Sequence, residues 1–291
     1  VLTILHASDL HFGKPHLPVV GEAFQTIARE AEPDLIVLSG DFTQRAKVEE
    51  FRQAREYVER LPDVPTVVTP GNHDVPVYRV FERLFSPFRN YRAYVSDELD
   101  TVTRLEGAVI VALSSAAPHH AVVNGRITPE QVEFAVRSFR EAGPDPLRVV
   151  VAHHHLAPAP DYEGDSPLPR AREILDAFEE MGVELIMGGH LHRSYIGNSL
   201  DVYPGRDPAH GIVIVQSGTT TSARGRARER AKNSFNIVRV TNDHLEITHF
   251  MYFEDHGGFA PFSMHAFPRR ENRFFARDPY RDRVFFAEES A

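Results

Sequence analysis

The chain has 291 residues, 42% hydrophobic and 25% charged, the composition of a globular, soluble protein with room for one large domain and a peripheral tail. Its formal net charge of −9 disfavours a nucleic-acid partner, whose phosphates are neutralised by Lys and Arg, but not a small anionic substrate. With no cysteine, disulfides and thiolate metal sites are excluded, so any metal must be held by His, Asp, Glu, Asn or water.

The first residues, VLTILHASD, lack the basic flank and cleavage site of a secretory signal. No apolar stretch approaches the ~20 residues needed to span a bilayer, so a cytoplasmic protein without a membrane partner is expected. LTIL (2–5) reads as a buried strand and EAFQTIARE (22–30) as an amphipathic helix. LIVL (35–38), EEFRQAREYVERL (49–61) and TVV (66–68) then repeat the strand, helix, strand order. Further on, PEQVEFAVRSFREA (129–142), RVVV (148–151), AREILDAFEEMG (171–182) and ELIM (184–187) continue it. Such alternation predicts an α/β fold with a largely parallel sheet, whose ligands gather beyond the carboxyl ends of the strands.

Each of the five strand runs is followed by a polar block: SDLH (8–11), SGD (39–41), PGNHD (70–74), HHH (153–155) and GGHLH (188–192). A single such Asp is most often a cap and a single His a satisfied core or surface group, but five blocks after five strands outweigh that explanation. In Asp9-x-His11 and His190-x-His192 the spacing predicts two side chains on one side of an extended segment, able to approach one ion. Gly40, Gly71 and Gly189 stand directly before these acceptors, where a missing Cβ permits tight turns and close approach.

In this order, Asp9-x-His11, Gly40-Asp41, Gly71-Asn72-His73-Asp74, His153 and Gly189-His190-x-His192 resemble the calcineurin-like metallophosphoesterases. SDLHFG, GDFTQRA, HHHLAP and GTTTSAR are most similar to the small bacterial class III cyclic-nucleotide and glycerophosphodiester phosphodiesterases. Gln44 departs from the pattern, standing where many relatives carry an acid. The resemblance implies a two-sheet αββα sandwich with two metal ions at the strand C-terminal ends. One ion would be bound by Asp9, His11 and His192, the second by Asn72, His153 and His190, with Asp41 bridging. The donors suit Fe, Mn, Zn or Co, and so many histidines disfavour calcium. Two such ions can generate a hydroxide at neutral pH and neutralise phosphoryl oxygens, which phosphoester hydrolysis needs.

For the triplet, strand phase and the resemblance favour His153 as ligand, with His154 turned away towards substrate and His155 in the loop; a register shifted by one residue exchanges His153 and His154. His73 is the candidate catalytic acid or charged donor, with Asp74 orienting it. Arg224, in the basic run that ends at Lys232, is a candidate for binding a substrate phosphate, although such a run is more often a solvated face. Residues 1–250 are expected to form the metallophosphoesterase domain. The Phe- and Arg-rich residues 251–291 are expected to form a tail packing on it or on a neighbouring subunit of a homo-oligomer. The leading expectation is hydrolysis of a small phosphodiester. A cAMP-specific phosphodiesterase, a phosphomonoesterase and a DNA nuclease are the alternatives, and a non-catalytic scaffold is disfavoured by the complete set of donors.

Overall fold

The computed structural model describes residues 1–119, 125–142, 146–158, 166–203 and 211–269. The first sheet contains β1 (Leu2–Ala7), β2 (Leu35–Leu38), β3 (Thr66–Val68), β10 (Ser234–Val240), β11 (His244–Phe253) and β12 (Gly258–Pro268), in the order β12-β11-β10-β1-β2-β3. The second contains β4 (Thr101–Leu105), β5 (Ala108–Ala112), β6 (Leu147–Val151), β7 (Leu185–Gly188), β8 (Tyr195–Asn198) and β9 (Val213–Gln216), in the order β4-β5-β6-β7-β9-β8. Helices α1 (Pro18–Glu30) and α2 (Val48–Val58) belong to the first half of the chain, followed by the short α3 (Val80–Phe85) and α4 (Arg89–Tyr94). Helices α5 (Pro129–Glu141) and α6 (Ala171–Glu180) belong to the second sheet.

The predicted strands are predominantly apolar runs because most of their residues are buried on both faces of the sheet. Leu35 and Val37 of β2 enter the core between the sheets, together with Val149 and Val151 of β6 and Leu185 and Met187 of β7. Their neighbours face outward: Ile36 joins Phe24 of α1 and Phe51 of α2, while Val150 and Ile186 join Phe139 of α5 and Phe178 of α6. The result is four layers, helix, sheet, sheet, helix, with a dry seam between the sheets. Helix α5 starts where the sequence marks it. Thr128 accepts a hydrogen bond from the Gln131 amide at 3.3 Å, Gln131 Oε1 accepts one from the Thr128 amide at 2.9 Å, and Pro129 occupies the first turn.

Each sheet is mixed rather than largely parallel. β1, β2 and β3 run parallel, as do β5, β6, β7 and β9, but β10, β11 and β12 pair antiparallel with their neighbours, and so do β4 and β8. The antiparallel strands β4, β10 and β11 mix polar with apolar residues, and none of the five leads into a ligand block. The boundary placed at residue 250 falls inside β11. Residues 258–268 form the edge strand β12, paired along its length with β11, so at least this part of the expected tail belongs to the sheet. Arg269 then closes the sandwich, donating to both carboxylate oxygens of Glu184, at 3.0 and 3.1 Å, and to the Thr241 carbonyl at 3.1 Å. Residues 270–291 lie outside the described residues.

Phe235 of β10 joins α1 to the C-terminal strands, with ring centroids 5.0 Å from each of Phe24, Phe250 and Phe259. Phe235→Ala should therefore cost about 3–5 kcal/mol of unfolding free energy in urea denaturation. A loss below about 1 kcal/mol would show that these strands contribute little to the cooperative core.

Candidate metal centre

The parallel strands point their carboxyl ends to one edge of the sandwich, and the five polar blocks meet there. β1 leads to Asp9 and His11, β2 to Asp41, β3 to Asn72, β6 to His153, and β7 to His190 and His192; all seven side chains are buried. The loops are joined by backbone hydrogen bonds, Asp9 N to Gly40 O at 3.0 Å, His11 N to Asp41 O at 2.9 Å and Gly189 N to His153 O at 3.0 Å.

The paired motifs converge by a different geometry from the extended one expected. Asp9, His11, Asp41, His190 and His192 all have positive φ, between 46° and 71°. L-residues rarely adopt this left-handed region, and the strain is of order 1–3 kcal/mol each. Each pair thus lies on a compact turn that aims both side chains inward. Glycine is required beside them. A Cβ on Gly40, whose φ is +99°, would sit 2.6 Å from His153 Nδ1, and one on Gly189 would sit 1.8 Å from Ser8 Oγ and 2.5 Å from Asp9 Oδ2.

Backbone carbonyls fix the imidazoles. His11 Nδ1 donates to Thr43 O at 3.3 Å, His192 Nδ1 to Arg224 O at 2.9 Å and His153 Nδ1 to Ser39 O at 2.7 Å. In the neutral rings this leaves a lone pair on every Nε2. His11 and His192 face each other through these nitrogens at 3.1 Å. Asp9 Oδ1 lies 3.0 Å from His192 Nε2 and 3.6 Å from His11 Nε2, while Asp41 Oδ2 lies 3.6 Å from His11 Nε2 and 3.4 Å from His153 Nε2. Asp41 Oδ2 and His153 Nε2 are buried without a hydrogen-bond partner. Converging lone pairs and carboxylate oxygens, without donors to satisfy them, fit a cation.

Two groups of donors result, each with atoms within 4.8 Å of one another: Asp9, His11, Asp41 and His192, and His153, His154 and His190. Asn72 Oδ1 joins the second, 3.0 Å from His190 Nδ1. The electrostatics suit ligation. Burial alone would raise the Asp9 and Asp41 pKa values, but the surrounding histidines hold both well below the usual range. Burial pushes His11 down to about 4 and His190 well below its ordinary value, which favours neutral imidazoles, whereas the Asp41 carboxylate overcomes burial at His153 and raises it to about 9, so that a cation binding there displaces a proton.

The triplet is placed otherwise than strand alternation implies. His154 does not turn away: its ring lies 4.5 Å from that of His190, and its Nδ1 meets Ser115 Oγ at 2.8 Å. His155 is buried too, its ring near-parallel to His190 at 6.0 Å. The chain bends immediately after β6, so alternation no longer applies.

Asp74 does not face the His73 ring. It accepts hydrogen bonds from the amides of Gly71 at 2.9 Å, Thr43 at 2.9 Å and Phe42 at 3.2 Å, tying two loops together. Burial and the Asp41 charge raise it to about 7 despite those bonds. His73 is instead oriented by the Gln44 carbonyl, 2.8 Å from Nδ1, and its amide donates to Asp41 Oδ1 at 2.7 Å. Arg224 also reaches the site rim, where its Nη1 donates to Gln44 Oε1 at 2.8 Å. Burial lowers the Arg224 pKa against the attraction of Asp41 and Asp9. Sequence reading noticed Gln44 only as a departure; its place between His73 and Arg224 depends on a contact across 180 residues. The GTTTS segment was likewise missed as a support: Thr219 Oγ1 donates to Asp9 O at 2.7 Å and Thr221 Oγ1 to Leu10 O at 3.0 Å.

A family profile described as calcineurin-like phosphoesterase matches residues 2–194, more than half of the chain and every candidate ligand. The chain belongs to the calcineurin-like phosphoesterase family. A probable cyclic nucleotide phosphodiesterase from Synechococcus is 26% identical over 224 residues, covering 70% of this chain and 79% of the relative. A probable glycerophosphodiester phosphodiesterase from Arcobacter nitrofigilis is 24% identical over 190 residues, covering 63% of this chain and 66% of the relative. The fold is also that of a purple acid phosphatase from yellow lupin seeds, with a TM-score of 0.66 at 15% identity, over 92% of this chain and 54% of the other. Among its described residues this calcineurin-like phosphoesterase thus carries two buried clusters, one of His and Asp and one of His, that could hold metal ions.

Gly189→Ala should force the turn carrying His190 away from Ser8 and Asp9. Overpacking of about 1–3 kcal/mol corresponds to roughly 5- to 150-fold weaker cation binding in titration calorimetry. Unchanged affinity would mean that this close approach is not needed for ligation.

Proposed function

We propose that the chain is a dinuclear metal-dependent phosphodiesterase acting on small diesters. The observation that carries this reading is the Asp41 carboxylate, placed between one imidazole of each donor group. Asp9, His11 and His192 would hold one ion and Asn72, His153 and His190 the other, bridged by Asp41, with His154 the further donor of the second group. Iron, manganese, zinc or cobalt suits this nitrogen and oxygen set. When bound, such ions neutralise phosphoryl oxygens and lower the pKa of a water molecule.

The rest is done by the chain. His73 keeps one proton on Nδ1 for the Gln44 carbonyl, so in its charged form Nε2 donates to the substrate or to the leaving oxygen. Arg224, held by the Gln44 side chain, supplies a fixed cation for a non-bridging phosphoryl oxygen. Asp74 acts at one remove, by holding the loops of Asp41 and His73. Diesters are favoured because the relatives named above are probable diesterases, with a cyclic nucleotide or a glycerophosphodiester as the substrate class. The neutral Gln44 favours a second reading: it places no negative charge in contact with the Arg224 guanidinium, which suits a monoester dianion.

Elemental analysis of the purified protein should find close to two transition-metal ions per chain, and Asp41→Asn should lower both occupancy and rate. An active preparation that never holds more than one ion would overturn the dinuclear reading. Bis(p-nitrophenyl) phosphate should be hydrolysed at least as efficiently as p-nitrophenyl phosphate at matched pH and metal. A tenfold preference for the monoester, about 1.4 kcal/mol of differential transition-state stabilisation, would assign the enzyme as a phosphomonoesterase.

A further inference from the structure

The segment that follows the His73 loop is apolar on its outside. Eleven large hydrophobic side chains are exposed among the described residues, and six of them, Val77, Tyr78, Val80, Phe81, Leu84 and Phe85, lie in one stretch of nine. None of the six residues of α3 is buried. Tyr78, Phe81 and Phe85 are 78%, 79% and 79% exposed, far beyond what isolated surface hydrophobics need to explain. A contiguous apolar patch of this kind marks a contact surface.

Its framework is anchored. Arg79 donates to the Arg45 and Ala46 carbonyls at 3.2 and 2.8 Å and pairs with Glu82 at 2.9 Å, and Arg83 donates to the Pro118 carbonyl at 2.6 Å. The Arg45 guanidinium covers the Tyr78 ring at 5.6 Å. The patch also borders the metal centre: it begins three residues after Asp74, and Arg45 directly follows Gln44, which holds both His73 and Arg224. Its local charge opposes that of the molecule. Between Val77 and Arg92 stand Arg79, Arg83, Arg89 and Arg92 with Glu82 as the one acid, in a chain of net charge −9.

We propose that this segment is a peripheral membrane-binding surface, with its Phe and Val side chains in the acyl boundary of an anionic phospholipid bilayer and the exposed Arg89 and Arg92 on the lipid phosphates. The rim of the metal centre is then set against the headgroups. Apolar side chains flanked by cations are what interfacial anchoring requires. Docking of a second copy is disfavoured by charge, since a two-fold interface would bring Arg89 and Arg92 of both copies together. The expected absence of a membrane partner rested on the lack of a spanning run, and among the described residues no helix is long and apolar enough to cross; a surface that lies in the interface needs no such run.

Co-sedimentation of the full chain with large unilamellar vesicles tests this without reference to the reaction catalysed. The protein should pellet with phosphatidylcholine vesicles containing phosphatidylglycerol, less with phosphatidylcholine alone, and less as salt rises. F81S/F85S should reduce partition at least tenfold, with circular dichroism, thermal midpoint and bis(p-nitrophenyl) phosphate hydrolysis unchanged. R89Q/R92Q should remove mainly the phosphatidylglycerol-dependent part. Wild-type protein that stays in the supernatant with both vesicle types, or full partition by F81S/F85S, would overturn the proposal. So would light scattering in which F81S/F85S turns a dimer into a monomer while wild-type protein ignores vesicles, or binding to polyglutamate in place of lipid.

Discussion

Lone pairs and negative charge meet at the edge of this sandwich with few donors between them. Three imidazoles give their Nδ1 protons to backbone carbonyls and so turn their Nε2 atoms towards the carboxylates of Asp9 and Asp41. In a buried, weakly polarisable setting such an arrangement is costly unless a cation occupies the centre, and most other features of the site can be traced to holding it in place. Five donors sit in left-handed backbone conformations, and the neighbouring turns use glycine where a Cβ would strike a ligand. Strain on this scale persists where the surroundings over-determine the geometry.

Those surroundings are polar and layered behind the ligands. Asp74 collects three amides from two loops, and Thr219 and Thr221 pin the backbone that carries Asp9 and His11. On the far side of His192, buried Glu229 accepts from the Ser194 amide at 2.7 Å and from Ser234 Oγ at 2.8 Å, joining the ligand turn to β10. The apolar seam between the sheets sets where the strand ends lie, and this polar lattice sets where the donor atoms point. The first has the spacing of packed layers; the second needs hydrogen-bond precision.

The rim has a different character. His73 and Arg224 are tied to one residue, Gln44, the first through its main-chain carbonyl and the second through its side-chain oxygen, so two groups at the rim share a single neutral support. Beside them α3 turns Phe81 and Phe85 outward. A buried, hydrophilic candidate metal centre is thus followed along the chain by an apolar, arginine-edged surface.

Much of this was legible along the chain because it is local. The five runs are predominantly apolar because their strands are largely covered on both faces, and the four amphipathic helices show their periodicity within their own length. The seven donors follow those strands directly, so within each sheet their gathering at one edge follows from parallel strand direction, while the packing of the two sheets brings the two sets together. Strands β10 to β12 were less visible, because edge and antiparallel strands mix polar with apolar residues and their identity lies in the partner across the ladder. The tertiary structure alone decided the left-handed turns that aim Asp9 and His11, the inward placement of His154 and His155, the role of Asp74 as a tie between loops, and the Gln44 contact with Arg224. Backbone direction beyond a strand end, and hydrogen bonds between residues far apart in sequence, are set by which loops pack together, and no local pattern of residues encodes that.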